Sequence, residues 1–447
     1  MSRKLFGTDG VRGQVGSFLT AELAVALARA TVELMPESEP SVLIVRDTRE
    51  SGQMLESAIA AGVTEAGGDV LTGGVLPTPA SPLLLRRHGF ALAAVISASH
   101  NPYQDNGIKF FAADGYKLSD DTEVAIERRM GMRAKAAPRI GAVRSLLTAE
   151  SDYLDELERR FGALDLSGTR ILLDCAHGAT YKVAPAIFRR LGASVDVIAD
   201  APNGRNINEG VGSTHVEKLS AYMAEGRHDL GFAFDGDGDR VLAVDRDGHV
   251  VDGDELLALA ARHLRDCGRL AGNGVAVTVM TNYGFHTAMS ELGIEVACTA
   301  VGDRYVNEEL RRRGWRLGGE QSGHLIDLGF GPSGDGVASA LLVLEALEGG
   351  DLCERQVMSK LPQRLVNVRA DSRDALALAM ETDVVREAID QAGKELEGHG
   401  RVLVRASGTE PLIRVMVEAP EAAQAEAVCT RLVGVVERTL GLVPAQG

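Results

Sequence analysis

The chain has 447 residues, 45% of them hydrophobic and 51 of them glycine, with a formal net charge of −16. At about 150 residues per domain this is a multidomain protein with sizeable cores. Such acidity excludes a broad nucleic-acid footprint, which needs clustered cations, but leaves room for a few arginines to build a local pocket for a small phosphorylated ligand.

In chain order, the opening Met1-Ser2-Arg3-Lys4-Leu5-Phe6 lacks the apolar core of a signal peptide. Gly7-Thr8-Asp9-Gly10-Val11-Arg12-Gly13 reads as a glycine-rich loop without Walker spacing, with Arg12 offered to phosphate. Three segments then share one scheme of apolar strand, polar turn, amphipathic helix and glycine-punctuated return. The first runs from Val42–Val45 through Arg46-Asp47-Thr48-Arg49 to a helix stop at Gly67. The second runs from Ile171–Leu173 to a stop at Gly192, and the third from Val275–Val279 to a stop at Gly293. This predicts three related mixed α/β domains around a central cleft.

A later strand in each unit delivers a polar loop. Ala91–Ile96 ends in Ser97-Ala98-Ser99-His100-Asn101-Pro102. Ser99 is a strand-end hydroxyl placed to be a nucleophile, yet no Gly-x-Ser-x-Gly elbow surrounds it. Close behind, Asp105-Asn106-Gly107 reads as a tight turn, after which Lys109 opens a strand. Lys109 either faces solvent or returns to the cleft to act on a hydroxyl proton. Leu230–Phe234 ends in Asp235-Gly236-Asp237-Gly238-Asp239-Arg240. At about 5 Å and an effective dielectric near 20, each carboxylate pair there repels by roughly 3 kcal/mol. The cluster therefore wants a hard cation such as Mg²⁺ or Ca²⁺, unless it is a solvated hairpin turn. Arginines at the sixth and twelfth loop positions, Arg240 and Arg246, exclude an EF-hand. Trp315–Gly318 ends in Gly319-Glu320-Gln321-Ser322-Gly323-His324. Glu320 and Ser322 suit sugar hydroxyls, and His324 suits proton transfer or phosphate.

The end of the chain differs. Strands at 401–405 and 412–417 flank Ala406-Ser407-Gly408-Thr409-Glu410-Pro411, with helical patterns at 373–397 and 421–440. This is an α+β domain entered near Leu361-Pro362, whose Arg405, Ser407, Gly408 and Thr409 could form an anion nest. The expected domains are 1–150 with the serine loop, 151–254 with the metal loop, 255–362 with the sugar loop, and 363–447 with the phosphate loop. The five cysteines (Cys175, Cys267, Cys298, Cys353 and Cys429) are scattered, which suits reduced thiols in a cytoplasmic protein. No apolar run reaches membrane-spanning length, so a membrane is not an expected partner, and the acidity argues likewise against a nucleic acid.

Together, in this order, the serine, aspartate, Gly-Glu-Gln-Ser-Gly-His and Arg-Ala-Ser-Gly-Thr-Glu-Pro loops resemble the α-D-phosphohexomutase superfamily over nearly the whole chain. The opening Leu5–Gly13, Ile96–Pro102, Val301-Gly302-Asp303-Arg304-Tyr305-Val306 and Gln321 are most similar to its bacterial branch acting on glucosamine phosphates. The resemblance implies interconversion of glucosamine 6-phosphate and glucosamine 1-phosphate through phosphoserine at Ser99 and a glucosamine 1,6-bisphosphate. That activity would feed UDP-N-acetylglucosamine and cell-wall precursors. It implies Mg²⁺ on Asp235, Asp237, Asp239 and a Ser99 phosphate oxygen. Arg240 and His100 would serve beside the transferring group, with Lys109, His324 or Arg12 moving the proton, Lys109 ranked first. Glu320, Ser322, Gly302 and Asp303 would bind the sugar. Arg405, Ser407, Gly408, Thr409 and Arg414 would grip the idle phosphate, with the last domain closing over the cleft. A homodimer is the implied assembly, and the first phosphate on Ser99 comes from an activating protein kinase, from the enzyme itself or from the bisphosphate, which the sequence leaves open. Rival readings are a phosphomannomutase or phosphoglucomutase, a serine-dependent phosphatase, and a sugar-phosphate sensor.

Overall fold

The structure is a computed structural model that describes residues 4–37, 39–370, 372–406 and 411–441. Within these residues the strands form four sheets. The first takes β1 (Val11–Gln14), β2 (Ser41–Arg46), β3 (Asp69–Val75), β4 (Leu92–Ile96), β5 (Asp105–Ala112) and β6 (Val143–Ser145), in the order β1-β5-β4-β2-β3-β6. The second takes β7 (Arg170–Asp174), β8 (Ser194–Ile198), β9 (Leu230–Phe234), β10 (Val241–Asp245) and β11 (Val250–Val251), in the order β11-β10-β9-β7-β8. The third takes β12 (Gly274–Thr278), β13 (Glu295–Thr299), β14 (Leu317–Gly319) and β15 (Leu325–Asp327), in the order β13-β12-β14-β15.

One arrangement recurs in all three sheets. The opening strand lies between two parallel neighbours, and the second neighbour turns back on an antiparallel strand: β3-β2-β4-β5, β8-β7-β9-β10 and β13-β12-β14-β15. Parallel neighbours require a crossover, which the helices Gly52–Glu65, Val183–Arg190 and Tyr283–Glu291 supply. The chain leaves each helix through a left-handed glycine: Gly67, Gly192 or Gly293, with φ of 93°, 98° and 69°. Strands buried on both faces, such as β4 with all five residues buried, appear in the sequence as continuous apolar runs. The serine, aspartate and glutamate loops leave the C-terminal ends of β4, β9 and β14, which occupy the same place in each sheet. Open α/β sheets bind ligands at such strand ends.

Asn106-Gly107 is a correction to the expected turn. Both residues lie inside β5, paired with Gly13 and Arg12 of β1. Arg12 is thus a strand residue rather than a loop residue. The glycine serves close approach: a Cβ on Gly107 would overlap the Ser97 carbonyl oxygen, and the Ser97 N–H donates to the Gly107 carbonyl at 3.0 Å.

The chain divides into two compact units. Thr281–Leu292 groups with the segment from Met358 onward, and the rest of the third repeat groups with the first two. The second unit contains an antiparallel sheet of β16 (Gln363–Arg369), β17 (Arg401–Ala406) and β18 (Leu412–Glu418), in the order β16-β18-β17. Its core is Ile413, Val415 and Val417 against Val428 and Leu432 of the helix Ala422–Thr439. β16 escaped sequence reading because it is a mostly exposed edge strand with a single buried residue, Val368. The pattern at 373–397 is two helices, Arg373–Glu381 and Asp383–Glu395, broken at Thr382 with extended backbone. The fully buried Glu418 explains why Thr281–Leu292 joins this unit. Its carboxylate pairs with Arg401 Nε at 2.8 Å and accepts the Tyr283 N–H at 2.8 Å, at the positive end of a helix.

Two stability predictions follow from these contacts. Gly107→Ala should cost about 1–3 kcal/mol through overpacking and lower the thermal midpoint; an unchanged midpoint would contradict the close approach. His286 is held down to about 4 by burial and then by the charge of Arg401. Its folded pKa lies below the unfolded value near 6.5, so the unfolded chain binds more protons between the two. Stability should therefore rise with pH across that window, and His286→Gln should flatten the rise in thermal melts; parallel wild-type and variant curves would refute it.

Candidate active site

Ser99 is buried directly beyond β4 and adopts φ of 51°, a left-handed conformation that costs a non-glycine residue about 1–3 kcal/mol. Its N–H donates to Ser97 Oγ at 2.9 Å. Its Oγ donates to Asp235 Oδ2 at 2.6 Å and lies 3.3 Å from His100 Nδ1. The serine of the first repeat and the aspartates of the second therefore meet. His100 is pushed down to about 4 by burial and by the charges of Arg240 and Arg12, so its ring is neutral near pH 7.

Asp235, Asp237 and Asp239 are all buried, each offering an oxygen within 4.8 Å of the others. Burial, then the charges of Asp239 and Asp237, raises the Asp235 carboxyl well above the usual range. Asp239 goes the other way: burial opposes ionisation, but His324, Lys109 and Arg240 outweigh it and hold the group well below that range. Asp237 Oδ2 is occupied, accepting from Thr78 Oγ1 at 2.7 Å and Lys109 Nζ at 2.9 Å. Asp237 Oδ1 and Asp239 Oδ1 are buried without hydrogen-bond partners. Orphaned carboxylate oxygens converging beside a serine hydroxyl are the donor set of a hard divalent metal, and these residues fit one.

Cations surround this cluster. Lys109 is buried in β5 rather than facing solvent, 2.9 Å from both Asp237 and Asp9. Burial disfavours its charge, but those two carboxylates outweigh burial and raise its pKa, so it is an ammonium. Asp9 in turn sits well below the usual range: burial opposes its charge, but Lys109, Lys117 and Arg12 together prevail. Arg12 pairs with Asp9 directly. Lys117 bridges Asp9 at 2.5 Å and Asp303 at 2.6 Å. The Arg240 N–H donates to Asp235 Oδ1 at 3.2 Å, and its Nε lies 3.8 Å from Asp239.

The third repeat completes the site. Glu320 Oε1 accepts the N–H of Gly302 at 3.1 Å, just before Asp303 opens the helix Asp303–Arg313. His324 is buried, with Nδ1 3.6 Å from Asp239 and Nε2 3.8 Å from Asp303. Gly334 N lies 3.2 Å from Nε2, a donation open only to the neutral ring, whose proton then sits on Nδ1; in the protonated ring both nitrogens carry hydrogens. Against burial, Asp239 and Asp303 push the ring up to about 9, a pull that a cation among the aspartates would weaken. Ser322 is exposed. In the second unit, Arg405 and Arg414 stand opposite each other across β17 and β18. Burial, then the charge of Arg414, lowers the Arg405 pKa. Ser407, Gly408 and Thr409 lie outside the described residues.

Sequence reading missed Asp9, Lys117 and Thr78. Asp9 stands in the glycine-rich opening and carried a readable signal. Thr78, within Pro77-Thr78-Pro79, and Lys117, after a turn, carried none.

Comparison with known proteins places this geometry. Family profiles for the phosphoglucomutase/phosphomannomutase alpha/beta/alpha domains I, II and III match residues 3–136, 151–248 and 252–365, and the profile for the C-terminal domain matches 365–435. The phosphoglucosamine mutase of Pelotomaculum thermopropionicum is 48% identical over 443 residues, covering 97% of this chain and 99% of that one. Among solved structures, a phosphoglucomutase/phosphomannomutase family protein from Burkholderia thailandensis matches with a TM-score of 0.82 at 22% identity, covering 97% of each chain. Aspergillus fumigatus N-acetylphosphoglucosamine mutase, solved with GlcNAc-6P and magnesium, matches with a TM-score of 0.70 at 18% identity, covering 98% of this chain and 96% of that one. With a buried serine against three aspartates and this similarity over nearly its full length, the chain belongs to the phosphoglucosamine mutases of the α-D-phosphohexomutase superfamily.

Proposed function

We propose that this enzyme interconverts glucosamine 6-phosphate and glucosamine 1-phosphate, with Ser99 carried as phosphoserine. The observation that carries this reading is Ser99 Oγ at 2.6 Å from Asp235, inside a cluster of carboxylates with orphaned oxygens. In the forward direction the bond from phosphorus to Ser99 Oγ breaks and a bond to the C1 hydroxyl oxygen forms, and the proton given up by that hydroxyl is matched by one taken up at Ser99 Oγ. The glucosamine 1,6-bisphosphate so formed then returns its 6-phosphoryl group to Ser99: the bond from phosphorus to O6 breaks, the bond to Ser99 Oγ re-forms, and the proton given up by Ser99 is matched by one taken up at O6. Asp235, Asp237, Asp239 and an oxygen of the phosphorylated serine would hold Mg²⁺, which supplies charge stabilisation to the phosphoryl group when bound.

The remaining work falls to the protein's own groups. Arg240 and the Lys109 ammonium set positive charge beside the transferring group before reaction begins. An ammonium has no lone pair, so in this state Lys109 supplies charge and N–H donors. His100 is held neutral within 3.3 Å of Ser99 Oγ. His324, buried 3.6 Å from Asp239, and Arg12, paired with Asp9, contribute donors beside the cluster. Glu320, Ser322, Gly302 and Asp303 bind the sugar. Arg405 and Arg414, side by side with like charge, suit the idle phosphate, joined by Ser407, Gly408 and Thr409. Division at residues 150, 254 and 362, a cytoplasmic location and a homodimer belong to the same reading. Two facts agree with the location: among the described residues no helix is long and apolar enough to cross a membrane, and the five cysteines are scattered along the chain. The product would feed UDP-N-acetylglucosamine and cell-wall precursors. Ser99 would first be phosphorylated by a kinase, by the enzyme itself or by the bisphosphate.

A coupled assay with glucosamine 6-phosphate should show mutase turnover stimulated by glucosamine 1,6-bisphosphate. Ser99→Ala should abolish both turnover and the phosphate seen by intact mass. Greater kcat/KM on mannose or glucose 6-phosphate would overturn the substrate, and phosphate release outpacing isomerisation would make the enzyme a phosphatase. Asp237→Asn should weaken Mg²⁺ binding in calorimetry and lower kcat at least about 100-fold, since a metal ligand is lost. Wild-type Mg²⁺ affinity in that variant would remove Asp237 from the metal site.

A further inference from the structure

Both backbone polar groups of Ser99 are held by side chains. Its N–H donates to Ser97 Oγ at 2.9 Å, and Ser97 Oγ donates to Asp47 Oδ2 at 2.6 Å. Its carbonyl accepts two donors: Arg49 Nη2 at 2.9 Å and Asn208 Nδ2 at 2.9 Å. Arg49 is fully buried, with Nε on Asp47 Oδ2 at 2.8 Å. Its two terminal nitrogens also collect the carbonyls of Asn101 at 2.8 Å, Asp105 at 3.0 Å and Pro102. Four carbonyl dipoles thus converge on one planar cation. A guanidinium can serve that geometry, whereas the single nitrogen of a lysine cannot. Asn208 comes from the second repeat, in the stretch after β8. Its N–H donates to Ala176 O at 2.9 Å, and its own φ is 60°. Its amide also reaches Asn101 O at 3.2 Å.

We propose that Arg49 and Asn208 are positioning residues that clamp the Ser99 carbonyl and so hold the left-handed turn that aims Ser99 Oγ at the acidic cluster. This rests on Ser99 being the phosphoryl carrier. No hydrogen bond joins Arg49 or Asn208 to the reacting Oγ, so both act through the Ser99 peptide. The two prongs do different work. Arg49 belongs to the first repeat and shapes the serine loop itself. Asn208 belongs to the repeat that supplies the aspartates, and it registers the serine against them across the junction. Transfer chemistry is sensitive to such aim, since misplacing a reacting atom by about 1 Å can cost on the order of 100-fold.

The test uses Asn208→Gly and Asn208→Asp, both compatible with a positive φ. After loading with glucosamine 1,6-bisphosphate, single-turnover transfer to glucosamine 6-phosphate is read alongside steady-state kcat and KM, thermal midpoint and phosphate on Ser99 by intact mass. Loss of the donor should lower kcat and the single-turnover rate at least about tenfold in both variants, with KM within about twofold and the midpoint retained. A role in shape alone would spare the aspartate variant, and a charge effect alone would spare the glycine variant; either result overturns the clamp. Arg49→Lys should show the same loss in kcat without a change in KM, and a wild-type rate there would overturn the fork. A wild-type enzyme that neither takes phosphate on Ser99 nor turns over would instead defeat the proposed function.

Discussion

Three carboxylates buried within 4.8 Å of one another are the constraint on which the rest of the molecule depends. At an effective dielectric near 20, each pair repels by roughly 3 kcal/mol. No single repeat supplies enough positive charge to offset this. Lys109 comes from the first repeat, Arg240 from the aspartate loop itself and His324 from the third. Even so, Asp235 stays raised well above the usual carboxylate range. The cluster therefore requires three sheets with equivalent strand ends pointing at one place, and it leaves room for a metal.

The same charges join the repeats. An alternating chain runs from Asp237 through Lys109, Asp9 and Lys117 to Asp303, touching all three. Buried ion pairs of this kind add little net stability, yet removing one partner strands another charge. Neutral contacts reinforce the junctions. The Thr78 N–H donates to the Asp237 carbonyl at 2.8 Å, and the Gly336 N–H donates to the Gly238 carbonyl at 2.9 Å. Such contacts prepare a polar environment before substrate arrives, which is how phosphoryl transfer gains most of its rate.

Serving this cluster sets local costs. Ser99 holds a left-handed backbone, and Arg49 is sealed from solvent to support it. Natural sequences break local rules at working sites and compensate elsewhere. Here the compensation is visible as hydrogen bonds to every backbone polar group of the serine.

The repeat, the helix stops and the loops at Ser99, Asp235–Asp239 and Glu320 were legible in the sequence, because buried parallel strands and left-handed glycines leave local signatures. Asn106-Gly107 misled because the same dipeptide serves a turn or a close approach, and only the neighbouring Ser97 carbonyl decides which. β16 and the break at Thr382 were hidden because an exposed edge strand and a short helix junction leave weak periodicity. Lys109 shows the limit most clearly. Its place in β5 makes solvent and cleft equally available to it, and its burial between Asp9 and Asp237 follows from how two sheets meet. The sequence by itself determined which residue types stand at which strand ends, since those signals are local. Which charges face one another, and therefore which are ionised, only the tertiary structure decided, because partners such as Lys109 and Asp237, or Ser99 and Asp235, are separated by more than a hundred residues along the chain.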